Sequence, residues 1–190
     1  MIFKFEKKLL DLIWKDFYYI AFFVIVVLGI LLRYALREVI SPDGVYAYLP
    51  WYNEIKSAGG FSALSHQVGD YNIFYQFLIM TYLPLEPIVG YKLLSIAFDI
   101  AMSILLAMIF HEADKQNKWY PLIGFALCWM NPMVFINSSE WGQCDIIYTF
   151  FCLLSVIKFT KEKYLHSIIF LSLGFVFKLQ AVFIMPFILL

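Results

Sequence analysis

The chain has 190 residues, of which 63% are hydrophobic, 20% aromatic and only 15% charged. Soluble domains are about half apolar, so this composition indicates a membrane protein. The formal net charge is zero, which gives no reason to expect nucleic acid as a partner. The three cysteines have neither the spacing of metal ligands nor that of a disulfide framework.

The N-terminal segment predicts an interfacial helix followed by a first membrane span. In residues 1–16, Lys7, Lys8 and Asp11 alternate with apolar residues at helical spacing, which is typical of a helix lying along a membrane surface. Residues 17–36 form the predicted span. A cleaved signal peptide is the alternative, but the apolar run is too long and lacks a small-residue cleavage site.

Residues 37–87 are predicted to form a long outer loop that carries short amphipathic helices. The loop begins with the turn sequence SPDG, which contains Asp43. The apolar run 71–83 has only about 13 residues, whereas a membrane span needs about 20. We therefore expect this run to be re-entrant or interfacial.

A short helix is predicted within this loop, over residues 50–57. A proline stands in its first turn and two glycines follow its end, as at many helix boundaries. Trp51, Tyr52 and Ile55 would share one side of the helix, and we expect this side to lie on the membrane.

Further apolar segments bring the predicted number of membrane spans to five: 88–110, 120–136, 145–157 and 165–190. This arrangement places nine lysines on the inner side: Lys4, Lys7, Lys8, Lys15, Lys115, Lys118, Lys158, Lys161 and Lys163. An additional span over 71–83 would move five of them outside, against the positive-inside rule. The sequence thus predicts a multi-pass protein of the cell membrane with a cytoplasmic N-terminus, and with Asp43 and residues 137–145 on the outer side.

Candidate functional residues lie in polar turns beside the apolar runs. Asp43 and Asp70 occupy turns, where aspartate is common because its side chain bonds its own backbone; from the residues alone, that local role is the simpler explanation. Residues 137–145, NSSEWGQCD, place two carboxylates, two amides and a tryptophan between two spans. Charged groups are unfavourable inside a bilayer, so we expect this loop and the Asp43 turn to form one face of a site outside the membrane.

Asp99 and Lys178 are predicted near the middle of their spans, where ionisable side chains usually face a partner or a cavity. Two interpretations stay open. The two residues could form a structural ion pair with each other, or Lys178 and Gln180 could line a pocket for an anionic headgroup.

From Ser41 onwards, the chain contains SPDG, GDYN, NPMVFINSSEWGQCD and GFVFKLQ in that order. This combination resembles the membrane-embedded GT-C glycosyltransferases, in particular bacterial proteins related to the second GPI mannosyltransferase; the dolichol-pathway glucosyltransferases are more distant. Members of the family are usually at least twice as long, and this chain stops within an apolar run, so we expect it to be the N-terminal part of a longer protein. Asn72 and Ile73 replace two prolines that the family often has.

The resemblance implies inverting transfer of a mannose-like hexose, at the outer membrane face, from a polyprenyl-phosphate donor to a glycan, lipid or protein acceptor. It implies that Asp43 is the general base and that Lys178 offsets the negative charge on the leaving phosphate. Further substrate-binding roles fall on Trp141, Gln143, Asp145, Gln180 and Asp70.

The expected partners are the lipid-linked donor, its acceptor and membrane lipids. No cofactor is implied, and the sequence leaves a divalent-metal requirement open. Two rival functions also stay open. The first is a transporter or lipid-flipping subunit with Asp99 and Lys178 on its path, and the second is a truncated membrane protein without catalytic activity.

Overall fold

The computed structural model of the chain describes residues 4–189. This part of the chain is helical and contains no strand, which confirms the predicted all-α class. The first three residues of the predicted interfacial helix, and Leu190 at the end of the predicted fifth span, lie outside the described residues.

The helical elements are short except for the first and the fourth α-helix. In chain order they are α1 (Lys4–Ala35), a π-helical turn (Gly44–Tyr48), α2 (Leu49–Ser57), a 3-10 segment (Gly60–Ser65), α3 (Ile73–Thr81), α4 (Pro87–Ala113), α5 (Trp119–Trp129), α6 (Pro132–Ile136), a second π-helical turn (Asn137–Trp141), α7 (Asp145–Thr160), α8 (Tyr164–Phe177), a second 3-10 segment (Leu179–Ile184) and α9 (Met185–Leu189).

Within residues 4–189, two helices are long and apolar enough to cross a membrane. They are the 20 residues Asp16–Ala35 of α1 and the 27 residues of α4. The predicted interfacial helix continues into the first span as one helix, α1. α4 covers the predicted second span.

A third crossing results if α5 and the segment Pro132–Trp141 count as one span, although they meet at 45°. The bend has a local cause, because Pro132 has no backbone N–H to donate. Asn131 then caps the new helix, its side-chain oxygen accepting from the backbone nitrogen of Met133 at 2.9 Å. The predicted third span is therefore a broken helix.

The last two predicted spans differ from continuous membrane helices. α7 has 16 residues, fewer than the about 20 that a span usually needs. The predicted fifth span is interrupted, because α8 ends at Phe177 and Lys178 has an extended backbone with φ −151°. No proline or glycine stands at this break; it coincides with an ion pair between Lys178 and Asp145. Lys178 thus lies at a helix end rather than mid-helix as expected, and the count of five spans stays a prediction.

The segment between α1 and α4 folds into a compact unit, which we call the cap (residues 42–83). α2 confirms the predicted short helix, and α3, with nine residues, is too short to cross a membrane. Gln76 is buried inside the cap, where its amide donates to the carbonyls of Ala63 (2.6 Å) and His66 (3.2 Å) and accepts from the backbone nitrogen of Val68 (3.3 Å). These bonds hold the loop after α2 against α3.

The apolar side of α2 faces the protein core, which corrects the expectation that it lies on the membrane. Tyr52 and Ile55 are 2% and 0% exposed. The Tyr52 hydroxyl donates to the backbone oxygens of Leu83 (2.5 Å) and Leu85 (3.1 Å). A partner for this hydroxyl lies within the protein, so burying the ring leaves no polar group unsatisfied.

Lys92 of α4 fixes the chain where it leaves α1. Its ammonium donates to the backbone oxygens of Leu36 (2.9 Å), Arg37 (3.0 Å) and Val39 (2.6 Å). These carbonyls directly follow the end of α1 at Ala35, where a cation is favourable. Lys92 thereby positions the segment that leads into the Asp43 turn.

Candidate functional site

A cavity of about 560 Å³ opens between the cap and the chain break after α8. Its polar lining includes Asp43, Asp70, Lys178 and Gln180, four of the residues that the sequence singled out. Residues from three distant parts of the sequence therefore meet around one space.

Asp43 stands just before the first π-helical turn and is half-buried. The hydroxyl of Ser41 accepts from the backbone nitrogen of Gly44 (3.1 Å) and donates to the backbone oxygen of Trp141 (3.2 Å). The side-chain nitrogen of Gln143 donates to Oδ2 of Asp43 at 2.6 Å. These contacts confirm that the Asp43 turn and the loop 137–145 lie side by side.

Hydrogen bonds within the loop extend from Gln143 to Asp145. The side-chain nitrogen of Asn137 lies 3.5 Å from Oε1 of Gln143 and 3.3 Å from Oδ2 of Asp145. The backbone of Gln143 is fixed as well, because its oxygen accepts from the buried hydroxyl of Ser95 at 2.6 Å. Asp145 in turn pairs with the ammonium of Lys178. A single network thus connects the carboxylate of Asp43 with the cation of Lys178.

The remaining predicted site residues have different positions. Asp70 and Gln180 are exposed on the cavity lining. Trp141 is 43% exposed and does not line the cavity. Gln143 directs its side-chain nitrogen at Asp43, although we expected the amide to bind substrate hydroxyls.

Aromatic side chains form much of the cavity wall, a role that was not predicted for them. Tyr48, Trp51 and Tyr71 line the space, and the rings of Trp51 and Tyr71 meet edge to face with centroids 5.5 Å apart. Trp51 lies directly against Gly69, whose φ is +70° and where a Cβ atom would approach the indole to 2.3 Å. The glycine of the GDY motif therefore makes room for the ring. The density of aromatic residues in YAYLPWY was the available indication.

Burial keeps the nearby phenols and thiol protonated. It raises the pKa values of Tyr48 and Tyr71 well above the usual range of a phenol. Burial also raises the pKa of Cys144 to about 11. At neutral pH these groups are neutral, so they are suited to donating hydrogen bonds and unsuited to acting as a general base or a thiolate nucleophile.

Asp99 does not contact Lys178, which corrects the suggested ion pair between them. Oδ2 of Asp99 instead accepts from Arg33 (Nη2 at 2.8 Å, Nε at 3.1 Å) and from the hydroxyl of Ser138 at 2.6 Å. Arg33 is 4% exposed, and its guanidinium lies 3.6 Å from the ring centroid of Trp129. A buried arginine on the preceding span is the partner that the sequence pattern did not identify.

Within residues 4–189, no group of three or more histidine, cysteine, aspartate or glutamate side chains is placed to hold a metal ion. Asp43 and Asp70 both line the cavity, while Asp145 is occupied by Lys178. The arrangement therefore offers two carboxylates, a cation and an aromatic wall around one space.

Comparison of the chain with protein-family models, with curated proteins and with solved structures found no match in any of the three.

Proposed function

We propose that this chain forms the catalytic region of a membrane glycosyltransferase, which moves a hexose from a polyprenyl-phosphate donor to a hydroxyl group of an acceptor. The observation that carries the proposal is that Asp43 and Lys178 line the same cavity, each oriented by a residue of the loop 137–145. A base and a phosphate-binding cation are the two groups that this reaction requires.

Asp43 acts as the general base. Among the described residues only Gln143 donates to its carboxylate, and it does so at Oδ2. Oδ1 is left to take the proton of the acceptor hydroxyl while the acceptor oxygen forms its bond with the anomeric carbon. The bond from that carbon to the phosphate oxygen breaks on the opposite side, so the configuration at the carbon inverts.

Lys178 offsets the charge that develops on the departing phosphate. Its side chain is 17% exposed, and its partner Asp145 is 32% exposed. A phosphate entering the cavity can therefore reach the ammonium without displacing a buried group. Asp145 holds the lysine in position before the donor binds.

The remaining lining suits a lipid-linked sugar. Leu179, Val182 and Phe183 line the cavity beyond Lys178 and are 59%, 41% and 81% exposed. Exposed apolar side chains of this kind suit contact with a prenyl chain. Trp51 and Tyr71 offer flat faces against which a sugar ring can pack.

The location follows from the same proposal. The lysine distribution favours a cytoplasmic N-terminus and a site at the outer face of the cell membrane. A polyprenyl-phosphate donor is held at the boundary of lipid and water by its tail, which is where this topology puts the cavity.

The positions of Asp99 and Lys178 favour the transferase over a transporter. The transporter hypothesis placed Asp99 and Lys178 on one path, whereas each has a separate partner in the described residues. Asp99 is 0% exposed and packed against Arg33, so it offers no open position for a transported solute.

Lys178→Met tests the donor site. The purified full chain is reconstituted in liposomes with a radiolabelled polyprenyl-phosphate hexose and a mixture of membrane glycolipids as acceptors. We expect transfer by the unaltered chain and an apparent donor affinity about 10-fold to 100-fold weaker in the variant, the range for losing a charge-assisted bond to an anion. Lys56→Met, which removes an exposed lysine elsewhere on the cap, is the control. Equal donor affinity in both variants would contradict the assignment.

A further inference from the structure

A second and larger hollow lies on the other side of the molecule, among α1, α4, α5 and the end of α7. We call it the groove; its volume is about 870 Å³. Its lining is apolar along most of its length and includes Phe22, Ile104, Met108 and Phe125. The groove shares no lining residue with the cavity around Asp43, so it is a separate feature.

The groove has the length of one membrane leaflet. On α4 its lining runs from Ile100 to Glu112, and twelve residue steps of α-helix rise about 18 Å. Half of a typical hydrocarbon core measures about 15 Å. Since α4 is one of the two helices that are long and apolar enough to cross a membrane, acyl chains of a single leaflet match the groove in depth.

The two ends of the groove differ in chemistry. Trp129 and Ile30 line one end, while His111, Glu112 and Lys161 line the opposite end. The adjoining segments 111–118 and 158–163 together contain five lysines and three acids. One of those acids, Glu112, is already paired with Lys115 at 3.1 Å. This end therefore carries net positive charge where a lipid headgroup would lie.

We propose that the groove binds an anionic phospholipid, with its acyl chains along α1, α4 and α5 and its phosphate beside Lys161 and His111. Basic pockets between membrane helices are known binding sites for anionic headgroups. Apolar lining alone would accept any lipid, whereas the cationic end selects for negative charge. The site is independent of sugar transfer, because none of its residues belongs to the proposed catalytic cavity.

Thermal unfolding of the full chain in detergent tests the headgroup. We expect phosphatidylglycerol to raise the melting temperature at concentrations where phosphatidylcholine does not. Lys161→Gln should raise the phosphatidylglycerol concentration needed for the same stabilisation about fivefold, the size expected for one lysine near an anionic surface. Lys56→Gln, on the cap, should leave it unchanged. Equal stabilisation by the two lipids, or by glycerol phosphate alone, would overturn the proposal.

A second pair of variants tests the acyl chains. Ile104 lines the groove and is 50% exposed, while Leu93 lies on the same helix, outside the groove, and is 52% exposed. Ile104→Trp fills the groove from a position that tolerates a large side chain, and Leu93→Trp adds the same bulk elsewhere. We expect only Ile104→Trp to abolish the response to phosphatidylglycerol. An undiminished response in that variant would show that lipid binds elsewhere.

Discussion

Two ion pairs in this molecule join the same kinds of groups in opposite surroundings. Arg33 and Asp99 connect α1 to α4 with side chains 4% and 0% exposed, whereas Lys178 and Asp145 lie beside an open cavity and are 17% and 32% exposed. The first pair is enclosed by Trp129 and Ser138. The two pairs therefore differ in burial more than in charge. The buried pair is enclosed by protein, whereas an entering ligand can reach the exposed pair.

The buried pair should show the largest effect on stability. Arg33→Met or Asp99→Leu alone leaves an unpaired buried charge, and we expect a loss of about 3–5 kcal/mol in the free energy of unfolding. The double variant should recover much of that loss, because neither charge then remains buried. Denaturation in detergent gives the free energy of unfolding of the two single variants and of the double variant. A loss in the double variant equal to the sum of the two single losses would contradict the pairing.

Gln143 should affect turnover more than stability. Its hydrogen bond orients the carboxylate of Asp43, and a bond to a charged group is worth about 1.5–3 kcal/mol. We expect Gln143→Ala to lower kcat about 10-fold to 100-fold while leaving the donor KM nearly unchanged. A rise in KM with constant kcat would instead assign Gln143 to substrate binding, as the sequence first indicated.

Breaking the pair of Lys178 and Asp145 should change the stability of the protein very little. Partly exposed ion pairs usually contribute up to about 1 kcal/mol, so Asp145→Asn should unfold at almost the same denaturant concentration as the unaltered chain. A double-variant cycle with Lys178→Met gives the coupling energy in the same assay. Coupling as strong as that between Arg33 and Asp99 would mean that both pairs are structural, and the contrast between them would fail.

Topology can be tested by labelling single cysteines from outside intact cells. The native Cys128, Cys144 and Cys152 are all buried, which favours a low background. A cysteine at the exposed Ser57 should react with an impermeant thiol reagent, and one at the exposed Gln116 should not. Labelling at Gln116 would contradict a cytoplasmic position for the loop after α4.

Local patterns were sufficient to predict several helices. α2 was predictable from a proline in its first turn and two glycines after it, and α4 from a long and predominantly apolar run. The short length of the run 71–83 likewise predicted that α3 does not cross a membrane. These features depend on residues close together in the chain, so a single sequence contains them.

Pairings between distant residues were not predictable in the same way. The sequence suggested Asp99 with Lys178 because both stood within apolar runs, but Arg33, in α1, is the actual partner of Asp99. The break at Lys178 also has no local indication, since it coincides with a contact to Asp145, 33 positions away. The bond between Gln143 and Asp43 spans 100 positions. Such contacts depend on how the helices pack, which cannot be read from the local patterns of a single sequence.

The most direct test of the proposed site is the rate of sugar transfer by two matched variants, Asp43→Asn and Asp70→Asn. Both residues are aspartates that line the same cavity, and both substitutions are nearly isosteric. If Asp43 is the general base, Asp43→Asn lowers turnover about 10²-fold to 10⁴-fold with unchanged thermal stability, while Asp70→Asn retains activity within a few-fold. Near-normal turnover in Asp43→Asn, or a larger loss in Asp70→Asn, would contradict the assignment of the base.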